Sequence, residues 1–168
     1  MPMWSWKNLK VLNLLKALDD YKDYHIIFTY SNSDTNSQII IKRIQEYVDQ
    51  NPGRCMFIPS LGQRRYFSAL KHVKAVLGNS SSGIIEVPSF GIPTLDIGDR
   101  QKGRIAAESV IHCGYSTEEI KKGLEKVVAY KDNKIDNPYY KEGTCDAILN
   151  VIKTYPLENI VQKHFYDL

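Results

Sequence analysis

Apolar positions along the chain switch between two spacings, and the switches mark the elements. In residues 8–18 (NLKVLNLLKAL), Leu9, Val11, Leu12, Leu15 and Leu18 recur at helical spacing. Residues 24–30 (YHIIFTY) are short, β-branched and aromatic, and predict a strand that ends in the turn and cap formers SNSDTNS. QIIIKRIQEYVDQ predicts a helix with Ile40, Ile44, Tyr47 and Val48 on one face, stopped by NPG. RCMFIP, residues 54–59, reads as a buried strand and GQRRYFSALKHV as a helix. KAVLG then predicts a strand, SGIIEVPSFG a short helix, PTLDIG a strand and AESVIHC the last strand. STEEIKKGLEKVVAY opens with Ser116 as N-cap and Glu119 at the third helical position, a capping box. GTCDAILNVIKTY and the tail from Asn159 close the chain with helical patterns.

Strands that alternate with helices imply βαβ units, so the predicted class is α/β: a Rossmann-like parallel sheet with helices on both faces. The chain carries no internal repeat and no low-complexity segment, and reads as a single domain over residues 1–168. It opens on a helix, whereas a doubly wound sheet starts on a strand. Met1 is therefore expected to lie inside a longer protein.

Composition narrows the function classes. At 168 residues, 43% hydrophobic and 24% charged, the chain is long enough to bury a core. A net charge of +3, spread along the chain, is too small to argue for a nucleic-acid partner. No apolar run approaches the roughly 18 residues of a membrane span, and the first ten residues lack the apolar core of a signal peptide. Cys55, Cys113 and Cys145 are isolated, which argues against disulfides or a zinc site and for a reducing cytoplasm. His25, His72, His112 and His164 show no metal-type pairing and read as surface or structural residues.

The candidate chemistry lies in KAVLGNSSSGIIEVPSFGIPTLDIGDRQKGR, residues 74–104. Parallel sheets bind ligands outside the carboxyl ends of their strands, and GNSSSG is a loop of that kind. Gly78 lets the chain turn, the serines offer hydroxyls, and a helix N-terminus behind them suits a phosphate. The same serines also fit a plain helix cap, and spacing alone leaves both readings open. The loop lacks the GK[ST] of a Walker loop and the GxGxxG of a dinucleotide site. Glu86 would stand at the third helical position if Gly83 were the cap, placed to accept hydrogen bonds from a ribose diol. Pro88 should shorten or bend the helix, and Gly91 stops it. GDRQKGR follows the next strand, either as a solvated basic loop or with one arginine facing a diphosphate. Asn32, after an earlier strand, would share the same rim. Asp96 falls inside a strand, and Asp34 and Asp99 in loops, without a spaced partner, and no Ser-His-Asp or Cys-His set assembles. The residues suit holding a nucleotide better than doing chemistry.

The run GNSS-G--E---FG-P----G-RQ-GR resembles the UDP-N-acetylglucosamine 2-epimerases, particularly the hydrolysing kind that release N-acetylmannosamine and UDP. The resemblance implies the C-terminal half of a glycosyltransferase-B-type fold, lacking its first strand and the N-terminal domain. It implies that Ser80 and Ser81 contact the diphosphate, Glu86 the ribose hydroxyls and Arg100 the UDP, with Asn32 on the family's loop asparagine, although Ser31 stands where a proline is common. It implies a UDP-sugar ligand, no cofactor or metal, no catalytic residue in this chain, and a role in sialic acid synthesis; family members are often dimeric or larger. Three other readings remain: a UDP-diacetylbacillosamine 2-epimerase, a glycosyltransferase of similar architecture, and a non-catalytic nucleotide-binding remnant.

Overall fold

The computed structural model describes residues 3–30, 37–131, 134–158 and 161, with side chains from residue 10 onward. Its elements are α1 (Met3–Leu18), β1 (Ile26–Thr29), α2 (Ser37–Gln50), β2 (Cys55–Ile58), α3 (Gly62–Leu70), β3 (Val76–Gly78) and α4 (Ser82–Ile85). A 3-10 turn (Val87–Phe90), β4 (Thr94–Ile97), β5 (Val110–Cys113), α5 (Thr117–Ala129) and α6 (Thr144–Thr154) follow. Every helix and strand expected up to residue 154 forms; the tail from Asn159 lies almost wholly outside the described residues. The chain divides into two compact units, Met1–Pro138 and Tyr139–Leu168, and α6 belongs to the second. No helix among the described residues is long and apolar enough to cross a membrane.

All strand pairs are parallel, as the alternation requires, but the strands divide between two sheets rather than one: β1–β2 and β3–β4–β5. Among the described residues β1 pairs with β2 alone and β3 with β4 alone, and no ladder joins the two sheets. The register partners Ile27 and Met56 remain 42% and 50% exposed, so one face of the two-stranded sheet is open. The other faces of both sheets meet in one core. Ile26, Phe28, Cys55, Leu77, Leu95, Ile97, Ile111 and Cys113 pack there against Leu15 and Leu18 of α1, Tyr47 of α2 and Ile120, Leu124 and Val127 of α5.

β4 is buried at every position because helices cover it on both faces. Successive side chains on a strand point oppositely, so Leu95 and Thr94 report the two sides. On Leu95's side α5 comes close, since a Cβ at Gly123 would lie 2.4 Å from Leu95 Cδ1. On Thr94's side α4 comes as close: the Thr94 hydroxyl donates to the Gly83 carbonyl at 2.7 Å, and a Cβ at Gly83 would lie 2.7 Å from Thr94 Cγ2. α5 starts where its sequence says, with Glu119 N donating to Ser116 Oγ (3.2 Å) and Ser116 N to Glu119 Oε2 (3.1 Å).

Polar side chains tie the first helices together. The Tyr47 hydroxyl donates to Asp19 Oδ1 at 2.9 Å and accepts from Arg54 Nη2 at 2.6 Å, while Arg54 also donates to the carbonyls of Leu18, the last residue of α1, and of Tyr21 just beyond it. Burial, reinforced by Asp19, pushes the Tyr47 phenol up to about 12. Asp96 has a partner that its spacing did not reveal. It is 1% exposed, and its Oδ2 lies 2.8 Å from Nδ1 of His112, its register partner on β5. A separation of 16 positions along the chain hides this pairing from the sequence, and only the parallel register supplies it.

Two outcomes follow from this packing. Leu124→Ala should cost about 2–5 kcal/mol of unfolding free energy in urea titrations, the usual effect of emptying a packed leucine site. His112→Ala should cost about 1–3 kcal/mol by leaving the buried Asp96 carboxylate without its partner. Adding Asp96→Asn to His112→Ala should recover part of that loss, and a His112→Ala protein as stable as the parent would show that the pair does not support β4.

Candidate functional site

Four described loops leave the carboxyl ends of the strands: residues 59–61 after β2, 79–81 after β3, 98–109 after β4 and 114–116 after β5. The loop after β1, with Asn32, lies outside the described residues. Gly78, at φ +144°, turns β3 into the serine loop in a conformation that favours glycine. Asn79, Ser80 and Ser81 are exposed and α4 begins at Ser82. Ser81 occupies the N-cap position, yet its side chain makes no capping bond, so the helix-cap reading of this residue does not hold. Ser80 Oγ accepts weakly from Ser82 N at 3.4 Å, and Ser82 Oγ lies 2.6 Å from the Tyr66 hydroxyl.

One sequence expectation is met here, the helix shortened by Pro88 and stopped by Gly91, and one changes, the place of Glu86. α4 is a single turn of four residues, because Pro88 opens a separate 3-10 turn that Gly91 closes at φ +70°. So short a helix sums few peptide dipoles, and any anion here would depend on loop N–H groups and hydroxyls rather than on a helix end. With Ser81 rather than Gly83 at the N-cap, Glu86 falls at the helix's C-cap, not at its third position. Its carboxylate therefore serves no capping role at the N-terminus.

Glu86 is half-buried and lines a cavity of about 450 Å³ at the carboxyl ends of β1 and β2, with Tyr30, Pro59, Leu61, Tyr66 and Phe67 among its walls. Burial raises the Tyr66 phenol and the Glu86 charge adds to this, while the bond to Ser82 acts the other way. Tyr66 is thus held neutral, a hydroxyl beside a carboxylate at the mouth of an aromatic slot. Sequence reasoning missed it, since in GQRRYFSAL its position signals only a helix face.

Arg100 is exposed on the turn after β4, and its neighbours Lys102 and Arg104 are exposed as well. Gln101 between them is 3% exposed. Its Nε2 donates to the Asn79 carbonyl at 2.8 Å and its Oε1 accepts from Arg104 Nη1 at 2.9 Å. The structure therefore joins the serine loop to the Arg100 loop through a residue that the basic run concealed. Gly98, at φ +93°, admits Tyr115, whose ring a Cβ there would strike, and the Tyr115 hydroxyl accepts from Asp99 N at 3.0 Å.

A second cavity, about 570 Å³, follows β5 between residues 98–103 and α5, and none of the expected site residues lines it. Cys113 in its wall has a thiol pushed up to about 11 by burial, with Glu119 and Asp96 adding to the effect, so it carries no nucleophilic thiolate. Among the described residues no group of three or more His, Cys, Asp or Glu is placed to hold a metal ion.

Comparison with known proteins bears on the family and the fold. The family model for UDP-N-acetylglucosamine 2-epimerase matches residues 6–153. The GDP/UDP-N,N'-diacetylbacillosamine 2-epimerase (hydrolyzing) of Campylobacter jejuni is 35% identical over 164 residues, 95% of this chain and 42% of that protein. Polysialic acid biosynthesis protein P7 of Escherichia coli is 34% identical over 168 residues, 96% of this chain and 42% of that protein. The structure of the Methanocaldococcus jannaschii UDP-GlcNAc 2-epimerase in complex with UDP-GlcNAc and UDP aligns with a TM-score of 0.66 at 16% identity, over 90% of this chain and 41% of that one. The Neisseria meningitidis UDP-GlcNAc 2-epimerase bound to UDP-GlcNAc gives 0.64 at 20%, over 88% and 40%. At those identities the structural likeness establishes the fold, and the chain spans about two fifths of the length of the relatives it matches. With the family model covering most of its length, this chain belongs to the UDP-N-acetylglucosamine 2-epimerase family.

Proposed function

We propose that this chain is the UDP-binding part of a hydrolysing UDP-sugar 2-epimerase, the enzyme that converts UDP-N-acetylglucosamine and water to N-acetylmannosamine and UDP. The observation that carries the reading is the position of Glu86. Its carboxylate has no capping duty, lines a nucleoside-sized cavity, and stands on the one-turn helix whose other end is the serine loop. A ribose diol at Glu86 would donate two hydrogen bonds to the carboxylate, with the base between the aromatic walls. The diphosphate would then lie along Asn79–Ser81, within the reach of N–H groups and hydroxyls, and Arg100 would approach from the adjoining loop.

In this reading the chemistry needs groups that this chain does not supply. A base removes the proton at C2 of the sugar, the C1–O bond breaks with loss of UDP, and water adds to the resulting glycal with inversion at C2. The part played by the present residues is to grip the leaving group so that its bond to C1 is held in line. The acid and base belong to the portion of the relatives' length beyond this chain. The 35% identity to a diacetylbacillosamine epimerase favours a second choice of sugar within the same mechanism. Both sugars share the nucleotide site argued here.

Calorimetric titration of UDP tests the site. Ser81→Ala, Glu86→Ala and Arg100→Ala should each weaken binding about tenfold or more, the worth of one hydrogen bond to a charged group. Unchanged affinity in all three folded variants would return the loop to a structural role. The chain by itself should release no UDP from UDP-N-acetylglucosamine in a coupled assay, and sustained release by pure protein would place the acid and base within it.

A further inference from the structure

We propose that Gln101 is a positioning residue that sets the direction of the Asn79–Ser80 peptide, so that the Ser80 N–H faces outward as an anion donor. The role rests on the nucleotide reading above, because the anion in question is the diphosphate of that ligand.

Gln101 is the buried member of a run otherwise exposed from Asp99 to Ile105. Both ends of its amide are used: Nε2 donates to Asn79 O at 2.8 Å, across 22 residues of sequence, and Oε1 accepts from Arg104 Nη1 at 2.9 Å. Arg104 thereby fixes which way round the amide sits, since only the oxygen can accept from a guanidinium. The amide nitrogen is left to face the loop. A trans peptide is planar, with its C=O and N–H pointing in opposite directions. Turning the Asn79 carbonyl in toward the buried Gln101 therefore turns the Ser80 N–H away from it, toward the exposed side of the serine loop. Gly78, at φ +144° just before this peptide, brings the chain into the loop in a conformation that favours glycine. The loop N–H matters more here than in a longer helix, because α4 is a single turn and offers little dipole of its own.

Gln101→Glu is the discriminating change. It keeps the shape and the acceptor for Arg104 but sets a carboxylate oxygen against the Asn79 carbonyl, which favours a flipped peptide. Amide NMR titrations of the whole chain with UDP and with uridine read the result. In the parent protein the Ser80 amide should move on addition of UDP and stay still with uridine. In Gln101→Glu that movement should vanish and UDP affinity fall about tenfold, the loss of one charge-assisted bond, with uridine affinity unchanged. A folded Gln101→Glu protein that binds UDP like the parent, with the Ser80 shift intact, would overturn the role. If the carboxylate prevents folding, Gln101→Met fills the same space without donor or acceptor and should show the same selective loss. Unfolding of both variants would make Gln101 a residue of the fold and end the proposal. A parent protein that binds no UDP would overturn the nucleotide reading itself, and with it this role, before any variant is compared.

Discussion

Thr94, Leu95, Asp96 and Ile97 are buried in succession, with α5 on one side of β4 and α4 on the other. The site depends on this two-sided burial. α4 can approach β4 because Gly83 has no side chain and Thr94 offers a hydroxyl to its carbonyl; α5 can approach because Gly123 leaves room for Leu95. The serine loop enters α4 directly and the Arg100 loop leaves β4 directly, so both take their height and direction from the same strand. The Asp96–His112 pair and the Gln101–Asn79 bond then fasten β4 and its following loop to their neighbours. Interior polar groups of this kind contribute little net energy when paired but cost much when orphaned, so they favour a single arrangement.

The serine loop shows how a sequence ambiguity resolves. Small hydroxyl residues before a helix suit either a cap or an anion, since both need oxygens and free N–H groups near a chain reversal. Here the capping position falls on Ser81, whose side chain makes no capping bond, and the helix behind it is cut to one turn by Pro88. The same shortening moves Glu86 from a capping position to a cavity wall. A proline placed six residues beyond Ser82 thus decides both how little the helix contributes and where the carboxylate points.

Most of the secondary structure was legible from local pattern. The period-3.6 faces of α2 and α5, the β-branched runs of β1 and β2, and the Ser116–Glu119 box are encoded within a few residues of where they act. The division into two sheets was not legible, since an apolar run such as YHIIFTY predicts a strand but not which edge it shares. Glu86, Ser80, Ser81 and Arg100 could be singled out as candidates because they follow predicted strands at their carboxyl ends and fall on a family motif. Tyr66 and Gln101 could not: one looks like a helix face, the other like part of a charged loop. Their roles exist only as distances across 16 and 22 residues.

By itself the sequence determined the α/β class, the order of elements, the family, and the loops that carry the candidate residues. Hydrophobic period, caps and glycines act through neighbours along the chain, and those neighbours are printed in it. Only the tertiary structure decided that Asp96 has a partner, that Glu86 faces a cavity, and that a buried glutamine joins the two rim loops. Each of these depends on parallel register and helix-on-strand approach, which bring distant residues within bonding distance and leave no periodic trace.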